Sequence, residues 1–378
     1  MNIATASLRS LLASALLSVA AAGVYAQDDD ADITADSQPG FLRFYHNTPL
    51  VSNGAVPANF TDPNLRNGWG VAFNPQGFVW VADQVTGVAT LYDGSGQPSP
   101  QPTPLIVHVP GPDNSKGAPT GIVFSAGMDF VVSKGGVSGP ARFIFATLQG
   151  NLAGWAPNVD ATHAVFVPTG SEHAVYTGLA LGGNGTTHLL YAANFVKGSV
   201  DVFDGTFKRV TAPGGFVDNN LPARFAPFGI QAINGDIYVT YAKQNDEGDE
   251  ELHGAGLGIV NVFDPDGHLR KRMITRRVLN APWGIALAPR SFGKFGGALL
   301  VGNLGDGRIN AFAPRNGAFL GTLRDRKGKP IEIDGLWGIQ FGNGILGQKT
   351  NALFYASGPN DEADGAYGVI TAATASIR

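Results

Sequence analysis

The sequence predicts an all-β chain folded as a six-bladed β-propeller, and three observations predict it. First, the 378 residues include 52 glycines and 24 prolines, with only 15% charged and 44% hydrophobic residues, which describes a turn-dense chain with ample material for a core. Second, a short Gly-centred segment recurs six times: Gly68-Trp69-Gly70-Val71, Pro119-Thr120-Gly121-Ile122, Tyr176-Thr177-Gly178-Leu179, Pro227-Phe228-Gly229-Ile230, Pro282-Trp283-Gly284-Ile285 and Leu336-Trp337-Gly338-Ile339. The central glycines are 51, 57, 51, 55 and 54 residues apart, a blade-sized period. Third, each interval holds four short apolar runs separated by turn signals.

Taken from the N-terminus, Arg9 precedes an apolar run from Leu11 to Ala22 and the exit Val24-Tyr25-Ala26, which predicts a cleaved secretory signal over residues 1–26. The run is too short to span a bilayer. The expected product is exported, to the periplasm or the extracellular space, with no membrane anchor. The chain has no Cys, so neither a thiol-borne lipid nor a disulfide is expected. Residues 27–40 carry Asp28, Asp29, Asp30, Asp32 and Asp36 and read as a disordered, solvated tail. Removing Arg9 from the 26 basic residues and these five acids from the 30 leaves 25 of each, so the body from 41 to 378 is formally neutral. A neutral body argues against a nucleic-acid partner.

Within that body, the fifth unit shows the predicted blade most plainly. A strand after Trp283 is followed by Ala298–Asn303, by Gly307–Phe312 and, past the turn Arg315-Asn316-Gly317, by Phe319–Leu323. Asp93-Gly94, Asp204-Gly205 and Asp266-Gly267 occupy the same turn in units one, three and four. The sixth unit stops after Phe354–Ser357 and Ala366–Ile370, one strand short. The N-terminal segment Phe44–Val51 supplies the missing strand, closing the ring and covering its edges.

Segments such as Val79-Trp80-Val81-Ala82-Asp83 and Leu190-Tyr191-Ala192-Ala193-Asn194 resemble the six-bladed propellers of the NHL-repeat and gluconolactonase/senescence-marker type. The whole body, through Asn67-Gly68-Trp69-Gly70, Tyr238–Lys243 and Ser357–Glu362, is similar to an uncharacterised family of exported bacterial propeller proteins, some with a C-terminal PEP-CTERM tail. Residues 372–378 depart from the tailed members, having neither that signal nor an apolar anchor. The resemblance implies release from the membrane and brings no assigned reaction.

Candidate functional residues follow from the predicted ring, because loops entering the innermost strand and loops joining second to third strands converge on the channel. Asp83, Lys134, Asn194, Lys243 and Asn303 fall at second-strand ends; Asp83, Asn194 and Asn303 offer oxygen to a ligand or hard cation, or else cap turns. Trp69, Trp283 and Trp337 precede repeat glycines and could form aromatic platforms at the channel mouth, or fill gaps between blades. The acidic loop Asn245-Asp246-Glu247-Gly248-Asp249 is matched by Asn360-Asp361-Glu362-Ala363-Asp364 at the equivalent point two blades on. Asp246, Glu247, Asp249, Asn360, Asp361 and Glu362 are therefore candidate metal ligands, and Ca2+ is the cation such oxygen donors would take.

No Gly-x-Ser-x-Gly elbow, His-Glu-x-x-His motif or phosphate loop is present, and the seven His are scattered; His253, beside the first acidic loop, stands out. No catalytic residue is assigned. The expectation is a monomeric exported module that binds or scaffolds protein or carbohydrate. Two other readings stand beside it. Resemblance to gluconolactonases implies a metal-dependent lactonase or esterase with Asp83, Asn194 and Asn303 as ligands and Asp361 or Asp246 as base, although Gly70-Val71-Ala72-Phe73 lacks the inner-strand carboxylate of that family. The third reading is a surface protein stabilised by Ca2+ at the acidic loops.

Overall fold

A computed structural model describes residues 42–185, 187–275 and 277–374. The predicted signal, the acidic tail and residues 375–378 lie outside the described residues. Six sheets form the blades along the chain: four are built from four consecutive antiparallel strands, the second is interrupted by an inserted hairpin, and the sixth joins the last strands to the first. In the first blade the strands are Gly68–Phe73, Val79–Asp83, Val88–Tyr92 and Ile106–His108, from the axis outward. Alternation is weak because the inner three are buried on both faces, which suits their near-continuous apolar sequence.

The sixth blade is closed by the N-terminal strand. Leu42–Ser52 runs antiparallel to Ala366–Thr374, with Phe44 opposite Ala373 and Ser52 opposite Ala366, and completes the sheet begun by Leu336–Phe341 and Ala352–Ser357. Phe60–Thr61 adds a short parallel strand outside it. The first strand thus pairs with the last, so the edge of the final blade is hydrogen-bonded rather than exposed.

What sets the period is the contact between neighbouring inner strands. A Cβ placed on any of the six repeat glycines would come within 3.1 Å of the next blade's backbone: Gly70 against Thr120, Gly121 against Leu179, Gly178 against Phe228, Gly229 against Trp283, Gly284 against Trp337 and Gly338 against Trp69. At five of the six no side chain fits unless the backbone shifts, and at Gly178 the fit is tight, which is why glycine recurs. Farther out, the gaps between blades are filled by large side chains. Trp80 of blade 1 stacks on Phe143 of blade 2 at 4.0 Å and lies 4.8 Å from Trp155. At about 25 cal/mol per Å2 of buried apolar area, such aromatic layers supply much of the drive for folding a chain with no disulfide.

One element departs from the expected blade. The second strand of blade 2 is Phe143–Thr147, and Val131–Lys134 pairs instead with Val137–Pro140 in an extra hairpin. Gly135 and Gly136, at φ 60° and 82°, make its turn. Lys134 therefore sits at a hairpin tip and not at a second-strand end.

Candidate functional site

Because Gly68 pairs with Asp83, the start of the inner strand and the end of the second strand share one face of blade 1, and the same register repeats at Tyr176–Asn194, Phe225–Lys243, Pro282–Asn303 and Leu336–Ser357. This is the convergent face. At its centre the axis is filled. Trp69 and Trp337 stack with centroids 3.7 Å apart, Trp283 meets Trp337 edge-on at 5.9 Å, and Phe228 and Phe195 continue the cluster. Trp69 and Trp337 are buried and Trp283 is partly buried. The predicted aromatic platforms are thus a plug: ring closure brings residues 69 and 337 face to face, so neither offers its face to a ligand. Trp283 Nε1 donates to the Thr177 carbonyl at 2.8 Å, tying blade 5 to blade 3 across the axis.

The described hydrogen bonds of the polar residues at second-strand ends do not join them to one another. Asp83 is fully buried and accepts a hydrogen bond from Thr90 Oγ1 at 2.8 Å; burial pushes its carboxyl well above the usual carboxylate range. Asn194 holds the following turn, accepting from the Val175 and Lys197 N–H groups and donating to Asp201 at 3.1 Å. Asn303 donates to the Val278 carbonyl at 2.8 Å and to Asp306 at 3.0 Å. Asn194 caps its turn, whereas Asp83 binds Thr90 on the next strand, and Asp83 Oδ1 and Asn303 Oδ1 are buried without a partner.

The two acidic loops owe their common pattern to a common closure. Asn245 Nδ2 donates to Asp249 Oδ1 at 2.8 Å, and Asn360 Nδ2 donates to Asp364 Oδ2 at 2.7 Å, so in both loops the first residue clasps the fifth. Asp246 is exposed and pairs with Arg224. Glu247 and Asp361 point to solvent. Among the described residues no three His, Asp or Glu side chains come together as a metal-binding group, so the six predicted ligands do not form one set.

One of the six, Glu362, occupies a different environment. Asn360, Asp361 and Glu362 all have left-handed backbone, at φ 57°, 51° and 64°. Glu362 is half-buried, and its Oε2 accepts from Asn67 Nδ2 at 2.8 Å. Asn67 is fully buried beneath it, and its Oδ1 accepts the Trp337 indole N–H at 2.9 Å, so the carboxylate stands directly on the plug. The blade 4 loop reaches the same place. Glu251 and His253 share a hydrogen bond, Oε1 to Nε2 at 3.3 Å, which holds the imidazole pKa above its ordinary value. Burial, reinforced by Glu251, pushes the Glu362 carboxyl up to about 6, against the opposing pull of Asn67 and His253. The mouth therefore holds a carboxyl that exchanges its proton near neutrality beside an imidazole–carboxylate pair, a combination found at functional sites.

Sequence reading named Glu362 and His253 but missed Asn67 and Glu251. Asn67 stands in the segment Asn67-Gly68-Trp69-Gly70, and Glu251 lies two residues past the acidic loop, so both were adjacent to features already recognised.

No family model matches the chain. It is 33% identical over 335 residues to the uncharacterised protein R648 of Acanthamoeba polyphaga mimivirus, covering 85% of this chain and 78% of that one. It is 34% identical over 303 residues to the uncharacterised protein L690 of the same virus, covering 77% of each. These relatives are viral and uncharacterised, so they do not support the expected likeness to exported bacterial proteins. Among solved structures it is similar to virginiamycin B lyase from Staphylococcus aureus, at 13% identity and a TM-score of 0.45 over 86% of this chain and 99% of that one. A gluconolactonase from Xanthomonas campestris matches at 11% identity and a TM-score of 0.47, over 82% and 86%.

Proposed function

We propose that this chain, which belongs to the same family as the mimivirus proteins R648 and L690, is an exported binding module that takes up a protein or carbohydrate ligand on its convergent face without chemical turnover. The observation that carries this reading is the aromatic plug: with Trp69 and Trp337 stacked in the axis, the face is a floor with loops standing on it. A ligand rests on such a surface; a substrate has no shaft to descend. The groups standing on the floor are acceptors. Glu362 and Glu251 accept hydrogen bonds from sugar hydroxyls or from the cationic side chains of a protein, and Asn67 holds Glu362 in place. Export rests on the signal read in residues 1–26. The test is equilibrium binding of the mature chain to arrayed glycans and peptides, with hydrolysis of small lactones and esters assayed in parallel.

A further inference from the structure

The outer rim between blades 1 and 2 carries a hollow of about 460 Å3. Its lining includes Lys116, Lys134, His108 and His163, with Ser115 and Asn114 beside them. The two imidazoles stack at 4.9 Å with 23° between their planes. Backbone pairing fixes them: the His108 N–H donates to the Thr162 carbonyl and the Ala164 N–H donates to the His108 carbonyl, both at 2.9 Å. Lys116 is held as firmly. Its stem lies across Gly87, where a Cβ would strike it, and its Nζ donates to the Val85 carbonyl at 2.7 Å. An ammonium has three donors, so further N–H groups remain for a ligand.

One carboxylate faces this group. Asp160 Oδ2 accepts from Lys134 Nζ at 2.7 Å, while Oδ1 accepts from the Thr162 and His163 backbone N–H groups, each at 3.0 Å, and lies 3.3 Å from His163 Nδ1. Two ammonium groups and two imidazoles thus line a concave surface, alongside a hydroxyl and an amide, with Asp160 paired to Lys134 beside it. We propose that this hollow binds a tetrahedral oxyanion, a phosphate or sulfate group, with Lys116 as its principal anchor and Asp160 as the competitor it displaces from Lys134. Such a group has acceptor oxygens in several directions, as donors arriving from both blades require.

The test is calorimetric titration of the mature protein with inorganic phosphate and, separately, with inorganic sulfate. Saturable one-site binding of either anion is expected, weakened about tenfold in Lys116→Gln, the loss of one charge-assisted hydrogen bond. Asp160→Asn should bind more tightly than the parent, since its amide oxygen still accepts from the two backbone N–H groups while the competing charge is gone. Lys116 is exposed and Asp160 partly so, and matching melting curves confirm that the variants fold. Absence of saturable binding of both anions overturns the proposal, as does an affinity unchanged in Lys116→Gln or reduced in Asp160→Asn.

Discussion

Trp69 and Trp337 stack across the propeller axis with ring centroids 3.7 Å apart, yet only one of them has a partner for its indole N–H. Trp337 Nε1 donates to Asn67 Oδ1 at 2.9 Å, whereas Trp69 Nε1 is buried without an acceptor. The two replacements by Phe remove similar volume but opposite hydrogen-bond balances. Trp337→Phe leaves the fully buried Asn67 oxygen unpaired, and Trp69→Phe relieves an unpaired donor. Trp337→Phe should therefore cost about 1–3 kcal/mol more than Trp69→Phe in urea unfolding. Equal costs would show that the plug is held by packing alone.

The glycine at the closing junction gives a second prediction. A Cβ on Gly338 would lie 2.7 Å from the Trp69 carbonyl oxygen, and neither backbone can move without opening the ring. Gly338→Ala should destabilise the protein by about 2–4 kcal/mol, the range of severe overpacking. A shift in the urea midpoint below a third of that would mean the last and first blades are loosely joined.

Closure by the N-terminal strand predicts an asymmetry between two truncations. Removing residues 1–40 leaves every pair between Leu42–Ser52 and Ala366–Thr374 intact and should not change the melting temperature. Removing residues 1–52 exposes the edge of Ala366–Thr374, and the product should aggregate or lose cooperative unfolding. Size-exclusion chromatography with a melting curve distinguishes the two.

Glu362 carries a pH signature. Its carboxyl titrates near 6 in the folded chain instead of the usual 4.5, raised by burial and by Glu251. The folded state thus holds this proton more tightly than the unfolded one, and as pH rises from 4.5 through 6 the folded protein loses stability from this group, about 2 kcal/mol at most. Glu362→Gln removes the charge while keeping an acceptor for Asn67. It should be more stable than the parent above pH 6 and equal to it below 4.5, compared by urea unfolding across that range. Because Glu362 also raises the His253 pKa, the comparison is made in a His253→Gln background, where only the carboxyl titrates.

The clasped acidic loops predict indifference to chelation. Asn245–Asp249 and Asn360–Asp364 close the two loops with side-chain hydrogen bonds. EDTA should leave the melting temperature of the protein unchanged, while Asn360→Ala lowers it. A fall of several degrees in EDTA would instead indicate a native-state cation.

The fold was legible because its constraint is local. A backbone that must touch the next blade admits only Gly, and six such contacts leave a period that can be counted. The missing strand of the sixth unit was equally readable, since a sheet edge needs a partner. Lys134 was misplaced because a Gly135-Gly136 hairpin reads like the end of any strand until the pairing is known. The site was less legible for a physical reason. Whether Trp69 faces a ligand or Trp337 depends on how the 267 residues between them close, and the Asn67 bridge between Trp337 and Glu362 exists only once they have. Likewise, the repeated acidic pattern reads as well for a cation as for an Asn–Asp clasp. The bonds Asn245–Asp249 and Asn360–Asp364 show the clasp, and the EDTA melt tests the cation.

The reading of the convergent face as a binding floor is tested most directly by presenting the mature chain and its Glu251→Gln/Glu362→Gln variant to the same glycan and peptide arrays while assaying lactone and ester hydrolysis. The account predicts saturable binding by the parent, weaker binding by the variant, and no turnover by either. Saturable hydrolysis of a small lactone or ester, or binding that the paired substitution leaves untouched, would contradict it.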